Sequence, residues 1–178
     1  MPDPASRTDS VHATCIALGE AGLLIRGPSG AGKSTLALLL LDRASVMDWP
    51  ASLVADDRVR LSRDGATLVA HANPDLADPE LGDRIEVRGL GLLRATEILS
   101  AVPVRLVVDL VADAPRLPEG PLSRTALLGL DLPALRLDAP LLRAGLGPRL
   151  VLDALAECHG VASGTHRPVL RLPPLPRP

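Results

Sequence analysis

The chain of 178 residues is 47% hydrophobic and 1% aromatic, and its formal net charge is −2. This length suits a domain with a sizeable core built from Leu, Val, Ile and Ala side chains. The shortage of aromatic rings argues against a protein that stacks single-stranded bases. The charge argues against a nucleic-acid backbone or an anionic membrane surface as a partner, so we expect neither.

The order of apolar and polar segments predicts a domain over residues 11–160 between two irregular ends. Polar residues 1–10 predict a disordered leader, and Pro-rich residues 161–178 predict an extended tail. Apolar runs predict strands over 11–18, 23–26, 52–55, 85–88, 102–111 and 135–138, and a hairpin of 59–62 with 67–71 around an Asp-Gly turn. Helices are predicted over 35–43 and 149–159, the second ending at Gly160, and loops over 73–83 and 115–121. Because several strands follow one another directly, the order predicts an α/β domain with a mixed sheet.

The two cysteines and the lack of long apolar runs indicate the cellular compartment of the protein. Cys15 and Cys158 lie far apart and lack the spacing of metal ligands, which is typical of reduced thiols in the cytoplasm. No apolar run reaches the roughly 18 residues of a membrane span. We therefore expect a cytoplasmic protein.

A glycine-rich motif is the strongest functional signal in the sequence. Residues 27–34 read GPSGAGKS, which fits GxxxxGK[ST] at every fixed position. The motif follows an apolar strand and opens an apolar helix, so its backbone N–H groups and the helix N-terminus can surround an anion. A lysine reaches the outer phosphates and a serine hydroxyl reaches Mg²⁺. The motif predicts binding of ATP or a related nucleotide by Gly27, Pro28, Ser29, Gly30, Ala31, Gly32, Lys33, Ser34 and Thr35.

Acidic side chains follow two of the predicted strands. Asp56 and Asp57 come directly after the strand over 52–55; one could hold Mg²⁺ through water while the other accepts a proton from a substrate hydroxyl. A pair of turn residues capping the next hairpin is the alternative. Glu86 and Arg88 alternate with apolar residues on one strand face, and taken alone they indicate an ordinary half-exposed strand. His12 alone indicates a structural or solvent-facing histidine.

Taken together, these motifs resemble the catalytic domain of the HPr kinase/phosphorylase family, in the short form found in some proteobacteria. The resemblance runs from His12 to about Val111. It depends on His12, on the loop at 27–34, on VADDRV at 54–59 and on IEVRGLG at 85–91, which is close to the family's E-[IV]-R-G-[LV]-G. The resemblance implies a P-loop fold similar to the nucleotide domain of phosphoenolpyruvate carboxykinase.

The resemblance also implies roles for particular residues. Lys33 would bind the donor phosphate, Ser34 and Glu86 would hold Mg²⁺, and Asp57 would accept the proton of the target serine. His12 would belong to the catalytic set. The family needs an arginine in its C-terminal third, which matches less well here; Arg149 is the candidate and Arg143 is nearly as good.

The implied reaction is phosphorylation of a serine of the phosphocarrier protein HPr, with ATP or pyrophosphate as donor, in the regulation of sugar transport and carbon metabolism. Many members also remove that phosphate with inorganic phosphate. Family members assemble into rings, which implies a homo-oligomer. Two alternatives remain open: a P-loop kinase for a small molecule, whose lid could use arginines 116, 124, 136 and 143, and a nucleotide sensor that binds ATP without transferring phosphate.

Overall fold

The structure is a computed structural model of the chain, and it describes residues 8–72, 84–87, 89–116, 120 and 122–159. The strands within these ranges are β1 (Thr8–Leu18), β2 (Ala21–Arg26), β3 (Ala51–Ala55), β4 (Arg58–Asp64), β5 (Thr67–His71), β6 (Arg84–Val87), β7 (Gly91–Arg94), β8 (Ala101–Val111), β9 (Leu122–Leu127) and β10 (Leu130–Asp138). The helices are α1 (Lys33–Val46), α2 (Ala139–Arg143) and α3 (Gly147–His159). None of the helices in the described ranges is long and apolar enough to cross a membrane.

The main sheet combines antiparallel and parallel strand pairs. The long strand β1 pairs antiparallel with β2, β3 and β4. The central strand β8 runs parallel to β2 and β10 and antiparallel to β5. Strands β6 and β7 form a separate two-stranded sheet. The prediction of an α/β domain with a mixed sheet is therefore confirmed.

Both faces of the main sheet are buried. Leu23 and Ile25 of β2 pack with Leu36 and Leu40 of α1, and Leu155 of α3 joins the same cluster. The intervening Leu24 points the other way, into a second cluster built from β1, β4, β5 and β8. Burial on both sides explains why β2 is an uninterrupted apolar run, as is typical of central strands.

The end of β2 is fixed to its parallel neighbour by an ion pair. Arg26 donates from Nε and Nη2 to the two carboxylate oxygens of Asp109 on β8, at 2.8 and 2.9 Å. Such a two-pronged contact fixes orientation as well as distance. It holds the strand end from which the glycine-rich loop departs.

Most predicted elements occur, with differences at particular places. Strand β1 begins at Thr8, so residues 8–10 of the predicted leader pair with β4. Strands β7 and β9, helix α2 and the first half of β10 were not predicted. The hairpin of β9 and β10 turns at Leu128 and Gly129, both with positive φ, and a Leu-Gly pair is a weak turn signal compared with Asn-Gly. Loop 73–83, Arg88, most of loop 115–121, the Gly160 cap and the tail lie outside the described residues.

Gly22 offers a test of the packing between β2 and β8. A Cβ at this position would lie 2.7 Å from both the Pro103 carbonyl oxygen and Val102 Cγ1. We expect Gly22→Ala to lower the free energy of unfolding by roughly 1–3 kcal/mol, because the backbone atom cannot move away without disturbing the strand pair. Urea denaturation measures the change. Gly120→Ala is the control, since its Cβ would meet the Leu122 carbonyl at an ordinary 3.7 Å; equal losses in both variants would contradict the packing argument.

Candidate functional site

A cleft of about 230 Å³ lies where β2 ends and α1 begins. Four segments distant in sequence meet there: the middle of β1, the glycine-rich loop, the turn after β3, and β6. The lining residues are His12, Ser29, Gly30, Gly32, Lys33, Ser34, Thr35, Asp56, Asp57 and Glu86. The fold thus gathers in one place motifs that the sequence analysis identified separately.

The glycine-rich loop has the backbone of an anion cradle. Gly27, Gly30 and Gly32 have φ angles of 153°, 78° and 99°, which side chains other than glycine rarely tolerate. A Cβ on Gly27 would lie 2.8 Å from Leu110 Cβ, so the loop passes directly against β8. Gly32 caps α1 without a side chain, which leaves the first N–H groups of the helix for a ligand. Within the loop, Ala31 N–H donates to the Pro28 carbonyl at 3.1 Å. The geometry fits a phosphate group.

Lys33 has a buried side chain whose ammonium group is held at the loop. Its Nζ donates to the Gly27 and Pro28 carbonyls at 3.1 and 3.2 Å and lies 2.9 Å from His12 Nε2. An ammonium group has three donors and no acceptor, so His12 accepts at Nε2 and carries its proton on Nδ1. Nδ1 in turn lies 3.0 Å from both the backbone oxygen and Oδ1 of Asp57. A hydrogen-bonded chain therefore runs from Lys33 through His12 to Asp57.

The two neighbouring acids have different surroundings. The Asp56 carboxylate accepts from Thr14 Oγ1 at 2.6 Å, from Ser34 Oγ at 3.0 Å and from the Glu86 backbone N–H at 3.1 Å. Asp57 has a side chain that is 79% exposed and a backbone φ of 66°. Aspartate tolerates this left-handed region better than most residues. Asp56 is thus fixed by three donors, whereas the Asp57 carboxylate faces solvent with His12 beside it.

The cleft contains oxygen groups of the kind that Mg²⁺ accepts. The Ser34 hydroxyl, the Asp56 carboxylate and Glu86 all line it. Within the described part of the chain, no group of three or more His, Cys, Asp or Glu side chains is arranged to hold a metal ion. Magnesium usually takes one or two carboxylates, with water and substrate phosphates as its other ligands. The residues present therefore fit a magnesium ion that is shared with a bound phosphate.

The structure does not bring Arg149 to this cleft. Arg149 opens α3 and donates from Nε to Asp153 Oδ2 at 2.9 Å, four residues further along the helix. Asp153 is buried, and a buried carboxylate needs a cationic partner. This contact gives Arg149 a structural task, and its membership of a catalytic set stays a prediction without support from the geometry. Arg143 lies exposed on α2.

Thr14 is a site residue that the sequence analysis missed. It is fully buried and belongs to an otherwise apolar part of β1, where it looks like a core position. The signal that could have identified it is its spacing: His12 and Thr14 are two residues apart, so they share one face of the strand. Together they contact both acids of the turn.

A strand, a glycine-rich loop with a lysine and a hydroxyl, and an uncapped helix start define a class of phosphate-binding α/β domains. Within this class, the sequence profile of the HPr serine kinase C-terminal domain matches residues 4–115. The chain therefore belongs to that family, which confirms the resemblance inferred from the motifs.

Relatives with names and a solved structure agree with this assignment. An HPr kinase/phosphorylase of Bordetella pertussis is 40% identical over 110 residues, which cover 58% of this chain and 32% of the relative. An HPr kinase/phosphorylase of Neisseria meningitidis serogroup C is 39% identical over 107 residues, covering 56% and 30%. The structure of the Hpr(Ser) kinase/phosphatase from Coxiella burnetii matches with a TM-score of 0.61 at 25% identity, covering 81% of this chain and 97% of that one. The chain spans about a third of the length of the curated relatives it matches.

The contact of Thr14 with Asp56 can be tested by its effect on folding. We expect Thr14→Val to lower the free energy of unfolding by about 1–3 kcal/mol, because the partly buried carboxylate loses its shortest hydrogen bond. Thr14→Ser keeps the hydroxyl and should lose less. Urea denaturation of the two variants measures the difference. Equal unfolding free energies for the Val and Ser variants would mean that the hydroxyl contributes nothing.

Proposed function

We propose that this domain is an ATP- and Mg²⁺-dependent serine kinase that phosphorylates the phosphocarrier protein HPr in the cytoplasm. The observation that carries the proposal is the different environment of two adjacent acids beside one glycine-rich loop. Asp56 is fixed next to the Ser34 hydroxyl, and Asp57 is exposed next to His12. The proposed substrate, HPr, is taken from the names of the relatives, which are HPr kinase/phosphorylase.

The loop and Lys33 bind the donor phosphates. The backbone N–H groups around Gly30 and Gly32 surround the phosphate oxygens, and Lys33 adds a positive charge that is already aimed at the loop. Ser34 and Glu86 would hold a magnesium ion, and Asp56 orients the Ser34 hydroxyl through its hydrogen bonds at 3.0 and 3.1 Å. A bound magnesium ion would supply positive charge to neutralise the charge that develops on the transferred phosphoryl group. ATP is the proposed donor, and pyrophosphate presents the same phosphate groups.

Asp57 takes the proton from the target serine. As the serine oxygen bonds to phosphorus and the donor's bridging oxygen departs, the hydroxyl proton passes to the Asp57 carboxylate. The His12 Nδ1–H, 3.0 Å from Asp57 Oδ1, keeps that carboxylate turned toward the cleft. In the reverse direction, the same carboxylate returns the proton to the serine oxygen while inorganic phosphate accepts the phosphoryl group. We include this reverse reaction and a homo-oligomeric assembly in the proposal because the resemblance to the family implies both.

One reaction tests the function directly. The protein is incubated with ATP, Mg²⁺ and HPr from the same cell, and HPr is analysed for phosphoserine. We expect transfer, and Lys33→Ala should reduce its rate roughly 10²-fold or more because the transition state loses a charge contact. Transfer to a small metabolite instead of HPr would favour the small-molecule kinase. Tight ATP binding without transfer to either would favour a nucleotide sensor.

The division of labour between the two acids can be tested separately. Asp57→Asn should keep nucleotide affinity, because the loop binds the phosphates, but should lose roughly 10²–10⁴-fold in transfer rate with the loss of the base. Asparagine also tolerates the left-handed backbone of this position, so the turn should survive. Asp56→Asn is the matched variant and should weaken the response to Mg²⁺. Normal transfer by Asp57→Asn alongside loss by Asp56→Asn would reverse the assignment within the pair.

Glu86 is tested through the magnesium dependence. Glu86→Gln keeps the backbone N–H that binds Asp56, so the fold of the site should remain intact while a carboxylate is lost. We expect the Mg²⁺ titration of phosphate transfer to move to higher concentration, with partial rescue at saturating Mg²⁺. Glu97→Gln, a carboxylate that does not line the cleft, is the control. An unchanged titration for Glu86→Gln would leave Glu86 as a surface residue of β6.

A further inference from the structure

A second cavity lies at a gap in the pairing of β8. Strand β5 pairs with residues 101–103 of β8, and β10 pairs with residues 107–111, so residues 104–106 pair with neither. A cavity of about 250 Å³ lies at this gap, between the starts of β5 and β10. Its polar lining residues are Thr67, Arg105, Asp131 and Cys158.

A β-bulge directs Arg105 toward this gap. Gly22 of β2 pairs with Val104, but the next residue, Leu23, pairs with Leu106, so Arg105 is the extra residue on β8. Bulges of this kind re-aim a side chain and are frequent next to functional sites. The Arg105 Nε is buried, and among the described residues it has no hydrogen-bond partner. A buried donor without a partner costs stability and therefore calls for an explanation.

The charged groups that line the cavity do not balance the positive charge of Arg105. Asp131 is already paired with Arg124, whose Nη1 lies 3.2 Å from its Oδ2. Burial raises the pKa of Cys158 to about 11, so this thiol is neutral at pH 7. Of the described groups that line the cavity, Arg105 is the cation whose charge no neighbour balances.

We propose that this cavity is a second ligand site, in which Arg105 binds a small oxyanion, the carboxylate or phosphate group of a metabolite. A guanidinium group offers parallel N–H donors that match both kinds of oxyanion. The site is distinct from the cleft: Arg105 is four residues before Asp109, which pairs with Arg26 beside the loop, and four strand residues span about 13 Å. The proposal does not depend on the proposed kinase activity.

Cys158 provides a local reporter for the test. The full-length protein is treated with N-ethylmaleimide, a neutral thiol reagent, and the modification rate of Cys158 is measured by mass spectrometry. Cys15 is fully buried and serves as an internal reference for unfolding. Inorganic phosphate, succinate and chloride are compared at equal ionic strength. We expect phosphate or succinate, but not chloride, to slow the modification of Cys158. The rate should fall roughly threefold when the anion concentration is twice the dissociation constant of that anion.

Variants separate this site from the cleft, where phosphate also binds in our proposal. Arg105→Gln should abolish the protection of Cys158, while Arg43→Gln, an exposed arginine on α1, should leave it unchanged. Arg105→Met, which keeps much of the apolar stem, replaces the Gln variant if that protein fails to fold. Protection by phosphate alone or succinate alone identifies the ligand class. Protection that persists in the Arg105 variant, or its absence with both anions, overturns the proposal.

Stability gives an independent readout. Because Arg105 Nε is buried without a partner, its removal should leave the urea midpoint unchanged or raise it. Residues that serve a ligand rather than the fold behave in this way. A large drop in the midpoint of both Arg105 variants would mean that Arg105 serves the fold, and would also overturn the proposal.

Discussion

The cleft depends on the Asp56 carboxylate. Its two oxygens accept hydrogen bonds from β1 through Thr14, from α1 through Ser34, and from β6 through the Glu86 backbone. Three elements that are remote in sequence thus converge on one side chain, and hydrogen bonds to an ionised acceptor are stronger than those between neutral groups. The small sheet of β6 and β7 is not part of the main sheet, so this contact is one of the links that position Glu86 at the cleft.

The chain of contacts from Lys33 to Asp57 arranges the charges in the cleft. The ammonium of Lys33 lies between two loop carbonyls and a neutral imidazole, and that imidazole directs its remaining proton to Asp57. A cation at one end and an exposed carboxylate at the other suit a reaction in which a phosphate is stabilised while a proton leaves a hydroxyl. His12 connects the two ends, although a lone histidine in the sequence indicates no such task.

The sequence predicted those parts of the molecule whose chemistry is local. The loop at 27–34, the strand before it and the helix after it all follow from residue type and spacing, and so does the position of the two acids after β3. Which acid is fixed and which is exposed could not be predicted, because it depends on the pairing of β1 with β3 and β4, the strands on either side of the two acids. The ion pair of Arg149 could not be predicted either: its partner, Asp153, lies one helical turn away, and an arginine with such a partner looks the same in sequence as one without it. The membership of Arg149 in a catalytic set stays a prediction.

The long strand β1 makes the site more sensitive to changes in chain length than to many changes in residue type. Along one edge its partner changes from β4, which pairs up to His12, to β3, which pairs from Cys15, so both of the site residues on this strand lie next to that change of partner. Side chains alternate along a strand, and a shift by one residue exchanges its two faces. Because residues 13–18 are buried and held by their pairing with β2, a residue deleted at Ala13 would bring Val11 to the place of His12, and a residue inserted there would displace His12. The molecule would keep an apolar sheet and an intact glycine-rich loop, yet lose the imidazole that connects Lys33 with Asp57.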